Sequence, residues 1–170
     1  MYLNSQKSYK NDTLFMAAHI FDKYLLKKGH WNFPIREVVN LFTISILIAS
    51  KMEQPIQPSY TRMISLLNKK EKEMVTRESL IKMELEIITL FGCDFNFNCH
   101  GIFIDRYLRI LGYHKNEMVK LMSYELSKFS LNEDLFLKYK PSVMAACSVI
   151  LSINIFKKDE CSLSSDGINR

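Results

Sequence analysis

Apolar residues recur at intervals of three and four along most of the chain, which is the pattern of amphipathic α-helices. The first such segment is 12–26, and the second, at 36–52, is apolar on nearly every side. A helix that is apolar all round belongs at the centre of a bundle. Further helices are predicted in the short segment that starts at Tyr60 and at 77–91, 102–111, 116–129 and 141–156. The pattern predicts an all-α helical bundle.

Residues that begin and end helices support these assignments. Ser59 and Thr76 can each accept a hydrogen bond from a free N–H of a first helical turn. Gly92 can end the helix at 77–91 in a left-handed conformation. The charged stretch 68–73 is predicted as a loop. On the helix at 116–129, the residues predicted to lie on one apolar side are Val119, Met122, Leu126 and Phe129.

The helices divide into two similar units. An amphipathic helix followed by a proline-opened, almost wholly apolar helix occurs at 13–52 and again at 117–156. Such an echo is weak alone, since any bundle has a central helix, but it indicates two units joined near residue 97. The expected organisation is a flexible N-terminus at 1–11, a first unit at 12–96, a second at 97–156 and a polar, disordered tail at 157–170.

Composition narrows the class of protein without identifying it. The 170 residues are 48% apolar and 24% charged, which describes a globular chain able to bury its own core. The net charge of +5 comes from scattered basic residues, so nucleic acid is an unlikely ligand. The polar N-terminus and the short apolar runs predict a soluble, intracellular protein of the nucleus or cytoplasm, with no membrane partner.

Patterns of catalytic or metal-binding residues are missing from the sequence. The cysteines at 93, 99, 147 and 161 form no C-x-x-C pair, and Cys93 with Cys99-His100 lacks a fourth ligand. The chain contains no glycine-rich phosphate loop, zinc-protease motif or serine-hydrolase motif. We therefore expect no catalytic residue, metal, cofactor or small-molecule substrate, and a protein that is not an enzyme.

Three charged residues, Asp22, Lys51 and Glu84, fall on helix stripes that are otherwise apolar. A charge held on such a stripe must find a partner or stay partly in water, because an uncompensated buried ion costs several kcal/mol. Lys51 and Glu84 have opposite charges and are predicted to meet. The apolar residues expected around that pair are Met52, Ile88 and Phe95.

A polar pair ringed by apolar groups is more typical of a docking surface than of a catalytic centre. A second interpretation remains open for each charge. Lys51 then only complements the dipole of its helix C-terminus, and Glu84 lies at the rim of its stripe. Under the same interpretation, Asp22 is a structural charge that has a partner within the fold.

Several segments resemble the cyclin box of A- and B-type cyclins in order and spacing. They read LFMAAHIFDKYLL at 14–26, LIASKME at 47–53, IKMELEII at 81–88 and CDF at 93–95. Further along, YEL at 124–126 and LKYKPSVMAA at 137–146 look like the opening of the second cyclin fold. The resemblance covers about residues 12–156. It implies an all-α cyclin-fold bundle, with a cyclin box that lacks its first helix and a partial second fold.

The resemblance also implies a function, which is that of a regulatory subunit that binds and activates a cyclin-dependent serine/threonine protein kinase in the cell cycle. The lysine and the glutamate that contact the kinase's mobile helix in this family fall on Lys51 and Glu84. Further family contacts fall on Met52, Ile88 and Phe95. Two other classes stay open, a cyclin-fold transcription factor that binds DNA and polymerase, and a helical adaptor that does not activate a kinase.

Overall fold

A computed structural model describes residues 10–29, 32–133 and 138–166, with side chains up to residue 158. The chain divides into two compact units, residues 1–97 and 98–170. Their helices are α1 (Asn11–Lys28), α2 (Ile35–Glu53), α3 (Tyr60–Leu66), α4 (Lys69–Met74), α5 (Arg77–Phe91), α6 (His100–Ile110), α7 (Glu117–Ser130) and α8 (Pro141–Asp166).

Helix α2 is the centre of the first unit, as its apolar pattern predicts. Every residue from Thr43 to Ser50 is buried, and Ile44 and Leu47 are fully enclosed. The other helices of this unit, α1, α3, α4 and α5, all contact α2. Burial of apolar surface at about 25 cal/mol per Å² is the main force that holds such a bundle together. The predicted all-α fold is confirmed.

The limits of α5 follow the predicted signals. The Thr76 side chain accepts a hydrogen bond from the Ser79 N–H at 3.1 Å, and the Ser79 hydroxyl accepts one from the Thr76 N–H at 3.0 Å. At the other end, Gly92 has a φ of 61°, a left-handed value that costs glycine little. These two ends set which residues of α5 face α2.

The predicted loop at 68–73 is wrong. Residues Lys69–Met74 form α4, because Asn68 and Glu71 make a reciprocal capping box at its start. The Glu71 N–H donates to the Asn68 side chain at 2.9 Å, and the Asn68 N–H donates to the Glu71 carboxylate at 3.1 Å. Two otherwise free backbone N–H groups are thereby satisfied, which stabilises a short helix that has no apolar stripe.

The second unit consists of α6, α7 and α8, which contact one another. The side of α7 that faces inward carries Val119, Ser123 and Tyr124, whereas Phe129 is 70% exposed. Phe129, which the sequence placed on one apolar side of this helix with Val119, therefore lies largely in solvent. Besides Val119 and Tyr124, this buried face carries the small side chains of Ser123, Ser127 and Ser130.

Helix α8 continues to Asp166, so the prediction of a disordered tail is wrong for residues 157–166. A helix that has already formed gains about one hydrogen bond for each added residue, and lysine and glutamate are good helix formers. The flexible N-terminus was predicted at 1–11, but Asn11 is already helical. Most of that segment, residues 1–9, lies outside the described residues. The expectation that the cyclin box lacks its first helix falls on the same residues.

Candidate docking site

Lys51 occupies the last turn of α2, where its positive charge complements the negative end of the helix dipole. Its ammonium nitrogen lies 2.5 Å from Oε1 of Glu84, which comes from the middle of α5. The side chains are 32% and 12% exposed respectively, so the pair sits at the surface without being fully in water. The structure thus brings the two predicted charges together and leaves Lys51 open to solvent on one side.

Tyr60 is a third member of this cluster that the sequence pattern did not reveal. Its hydroxyl donates a hydrogen bond to Oε2 of Glu84, and the Lys51 ammonium lies 5.1 Å from the centre of its ring. The sequence indicated only that Ser59 caps a short helix there. The Ser59 hydroxyl does accept from the Arg62 N–H, at 3.2 Å, and this cap fixes Tyr60 as the first residue of α3.

The ionisation of the cluster follows from these contacts. Burial opposes a charge on Lys51, but the hydrogen bond and negative charge of Glu84 outweigh it and raise the pKa of Lys51. The hydrogen bond with Glu84, and then burial, raise the pKa of the Tyr60 hydroxyl. At neutral pH, Lys51 is therefore a cation and Tyr60 remains a hydrogen-bond donor.

The three apolar residues predicted around the pair differ in their exposure to solvent. Met52, next to Lys51, is 58% exposed, while Ile88 and Phe95 are half-buried. The Phe95 ring lies 5.5 Å from that of Phe91 in the core, which limits its motion. Two further apolar residues of α5, Ile81 and Leu85, are exposed. A charged pair with exposed apolar neighbours is the composition of a protein-binding surface.

Comparisons with protein families agree with this fold. The model of the cyclin N-terminal domain matches residues 1–96, and that of the cyclin C-terminal domain matches residues 101–166. The first match alone covers more than half of the chain. The chain belongs to the cyclin family.

Three relatives illustrate the distance within the family. The chain is 26% identical to cyclin-B2-2 of Oryza sativa subsp. indica over 86% of its own length and 34% of that protein. It is 27% identical to cyclin-A2-3 of Arabidopsis thaliana over 84% of its length and 31% of that protein. It is 24% identical to the G2/mitotic-specific cyclin-B3 of Mus musculus over 89% of its own length and 10% of that protein. The chain therefore spans about a third or less of each of these cyclins.

A second cluster of a lysine, a glutamate and a tyrosine lies on the opposite flank of α5 in this cyclin. Glu86 forms an ion pair with Lys28 and accepts a hydrogen bond from the Tyr24 hydroxyl at 2.9 Å. The positive charge of Lys82, one turn away on α5, acts on Glu86 as well. Burial opposes the charge on Glu86, but the hydrogen bonds from Lys28 and Tyr24 outweigh it and lower the pKa of Glu86. This cluster ties α1 to α5.

Asp22, the third predicted charge, takes no part in either cluster. It is half-buried on α1, and among the described residues it has no hydrogen-bond or ion-pair partner. Burial raises the pKa of its carboxyl group. The prediction of a satisfied structural charge therefore finds no support in the described part of this cyclin box.

Within the ranges that the structure describes, no three histidine, cysteine or acidic side chains come together as metal ligands. Cys93 is exposed and Cys99 is buried. Over the same residues, no helix combines the length and apolar character needed to span a bilayer.

Proposed function

We propose that this cyclin is a regulatory subunit that binds and activates a cyclin-dependent serine/threonine protein kinase. The observation that carries the proposal is the Lys51–Glu84 pair, because it joins two residues 33 positions apart at a partly exposed, apolar-bordered surface. An ammonium ion can donate three hydrogen bonds, so Lys51 retains capacity for an acceptor on the kinase. Members of this family carry a lysine and a glutamate at these positions in their contact with the kinase.

The expected contact surface consists of the pair and its apolar neighbours. Lys51 and Glu84 supply the polar contacts, and the apolar area comes from Met52, Ile88 and Phe95. A desolvated charged pair gives specificity, while apolar area gives most of the driving force for association.

Activation would follow from docking alone. A partner that holds the kinase's mobile helix inward completes the lysine–glutamate pair of the kinase and sets its activation segment for phosphoryl transfer. The cyclin supplies no group to that reaction. In this mechanism the chain acts by shifting the kinase towards its active conformation, and an adaptor that bound without this shift would not raise activity.

The test is co-purification of the full chain with candidate cyclin-dependent kinases, followed by affinity measurements on variants. Lys51→Ala and Glu84→Ala are each expected to weaken binding by ~2 to 5 kcal/mol, since each removes a charged group that docking would desolvate and leaves its partner on the kinase unpaired. The matched controls are Lys28→Ala and Glu86→Ala. They remove the equivalent ion pair from the other flank of α5 and are expected to leave kinase affinity unchanged.

Three results would contradict the proposal. Equal kinase binding by wild type, Lys51→Ala and Glu84→Ala would exclude this pair as the contact. Tight DNA binding that weakens steeply with salt, without any kinase binding, would favour the cyclin-fold transcription factor instead. Kinase binding without a rise in kinase activity would favour the non-activating adaptor.

A further inference from the structure

Tyr60 completes the Lys51–Glu84 cluster, and neither the sequence pattern nor the resemblance to cyclins gave it a role. Its hydroxyl donates to Oε2 of Glu84, while Lys51 donates to Oε1. Both carboxylate oxygens therefore have a partner within the chain. The carboxylate is held from two sides, by the end of α2 and by the start of α3.

This arrangement restricts side chains that would otherwise be mobile. Lysine and glutamate have several rotatable bonds, and ordering such side chains on binding costs about 0.5–1.5 kcal/mol each. Here Tyr60 fixes Glu84 by a hydrogen bond, and its ring lies 5.1 Å from the Lys51 ammonium, within the range of a cation–π contact. The pair is thus oriented before a partner arrives.

We infer that Tyr60 is a positioning residue for kinase docking, which acts by holding Glu84, and through it Lys51, in the orientation that the kinase binds. The inference rests on the proposed function, since it concerns the same surface. It differs from a purely structural role in one respect. Removal of the hydroxyl should weaken kinase binding more than it weakens the fold.

The chain offers a matched control for this distinction. Tyr24 also donates its hydroxyl to a glutamate of α5, Glu86, which is paired with a lysine. Tyr24 is 3% exposed, so its hydroxyl belongs to the interior of the first unit. Tyr24→Phe and Tyr60→Phe therefore remove the same group from two similar clusters, of which only one lies at the proposed docking surface.

The experiment measures the Kd of each full-length variant for the cyclin-dependent kinase that co-purifies with wild type, together with its melting temperature. Tyr60→Phe is expected to weaken binding about three- to tenfold, as loss of one hydrogen bond commonly does. Tyr24→Phe is expected to change Kd less than about twofold while lowering the melting temperature at least as much as Tyr60→Phe does.

A double variant tests whether Tyr60 acts through Glu84. In a Glu84→Ala background, Tyr60→Phe is expected to change Kd less than about twofold, because the partner of the hydroxyl is already gone. A full loss in that background would make Tyr60 a direct contact and overturn the positioning role. Wild-type affinity of the Tyr60→Phe single variant would also overturn it.

The two proposals fail in different ways. If Lys51→Ala and Glu84→Ala bind the kinase as wild type does, the proposed function is wrong and the positioning role falls with it. If those variants bind weakly but Tyr60→Phe binds normally, only the role of Tyr60 is wrong. Equal loss of affinity in Tyr60→Phe and Tyr24→Phe, in step with their melting temperatures, would assign both hydroxyls to stability alone.

Discussion

Single residues show how far a helical stripe can be interpreted. The apolar stripes singled out Lys51 and Glu84 because a charge among apolar residues needs a partner or contact with water. In the structure, the Lys51 ammonium nitrogen lies 2.5 Å from Oε1 of Glu84. The sequence pattern does not reveal the role of Tyr60, because a tyrosine on a short helix cannot be told from an ordinary apolar residue unless the hydrogen-bond partner of its hydroxyl is known. The partner, Glu84, lies 24 positions away, and no local pattern encodes that distance.

Asp22 gives the clearest prediction at the residue scale. Burial raises the pKa of its carboxyl group, so the folded chain disfavours the carboxylate at any pH above its unfolded value of about 3.9. We expect Asp22→Asn to raise the free energy of unfolding at pH 7, because the amide carries no charge and so escapes the cost of burying the carboxylate. The difference in stability between Asp22→Asn and wild type should disappear near pH 3, where the Asp22 carboxyl group of the wild type is protonated in the folded and in the unfolded chain.

Urea denaturation of wild type and Asp22→Asn at both pH values measures this difference. Asp105→Asn serves as the control, since Asp105 is 44% exposed and lies 3.9 Å from Lys120, so removal of its charge should bring no gain in stability. Destabilisation by Asp22→Asn at pH 7 would mean that the Asp22 carboxylate has a favourable role in the folded state.

Among the helices, α5 separates what local sequence determines from what it does not. Its cap at Thr76 and its end at Gly92 are local features, and both were predicted. Glu84 and Glu86 are two positions apart and so point about 200° apart around the helix. They reach α2 and α3 on one side and α1 on the other. The choice of Lys28 over Lys82 for Glu86 depends on how α1 packs, which periodicity does not specify.

The same helix explains why the clusters differ in exposure. On the flank of α5 that carries Glu84, Ile81 precedes Glu84 by three positions and is 43% exposed. On the other flank, Glu86 faces the buried Tyr24. The Glu84 cluster therefore borders an apolar surface that a partner can cover, whereas the Glu86 cluster lies between α1 and α5.

Helix α4 yields a prediction about local capping. It has six residues, none of them buried, so its start depends on the capping box of Asn68 and Glu71. Asn68→Ala is expected to lower the free energy of unfolding by about 1 kcal/mol, because the Glu71 N–H then loses its acceptor. Thermal or urea denaturation measures the change. Lys70→Ala, an exposed change in the same helix, should alter stability by less than about 0.5 kcal/mol.

An unchanged stability in Asn68→Ala would mean that contacts with α2 alone hold this segment. The loop prediction failed at α4 because it relied on a missing apolar stripe. A short helix can instead be fixed by its first turn, and a capping box is visible in sequence when an asparagine precedes a glutamate by three positions. Asn68 and Glu71 have this spacing.

At the scale of the whole molecule, exposed apolar side chains are concentrated in the second unit. On α7, Met118, Leu121 and Phe129 are 63%, 58% and 70% exposed and lie three and eight positions apart, on one face. On α8, Val143, Ile150 and Leu151 are exposed as well. Apolar periodicity placed Phe129 on one side of α7, but periodicity does not specify what covers that side.

These exposed side chains are expected to influence how the chain associates in solution. Contiguous exposed apolar area promotes association, while polar replacements on an exposed face change stability little. The double variant Leu121→Gln with Phe129→Gln is expected to keep the free energy of unfolding within about 1 kcal/mol of wild type and to stay monodisperse at higher protein concentration. Leu108→Ala, at a position 1% exposed, should instead cost about 2–5 kcal/mol. Size-exclusion chromatography with light scattering, beside urea denaturation, separates the two effects; a large loss of stability in the double variant would show that these side chains pack against the fold.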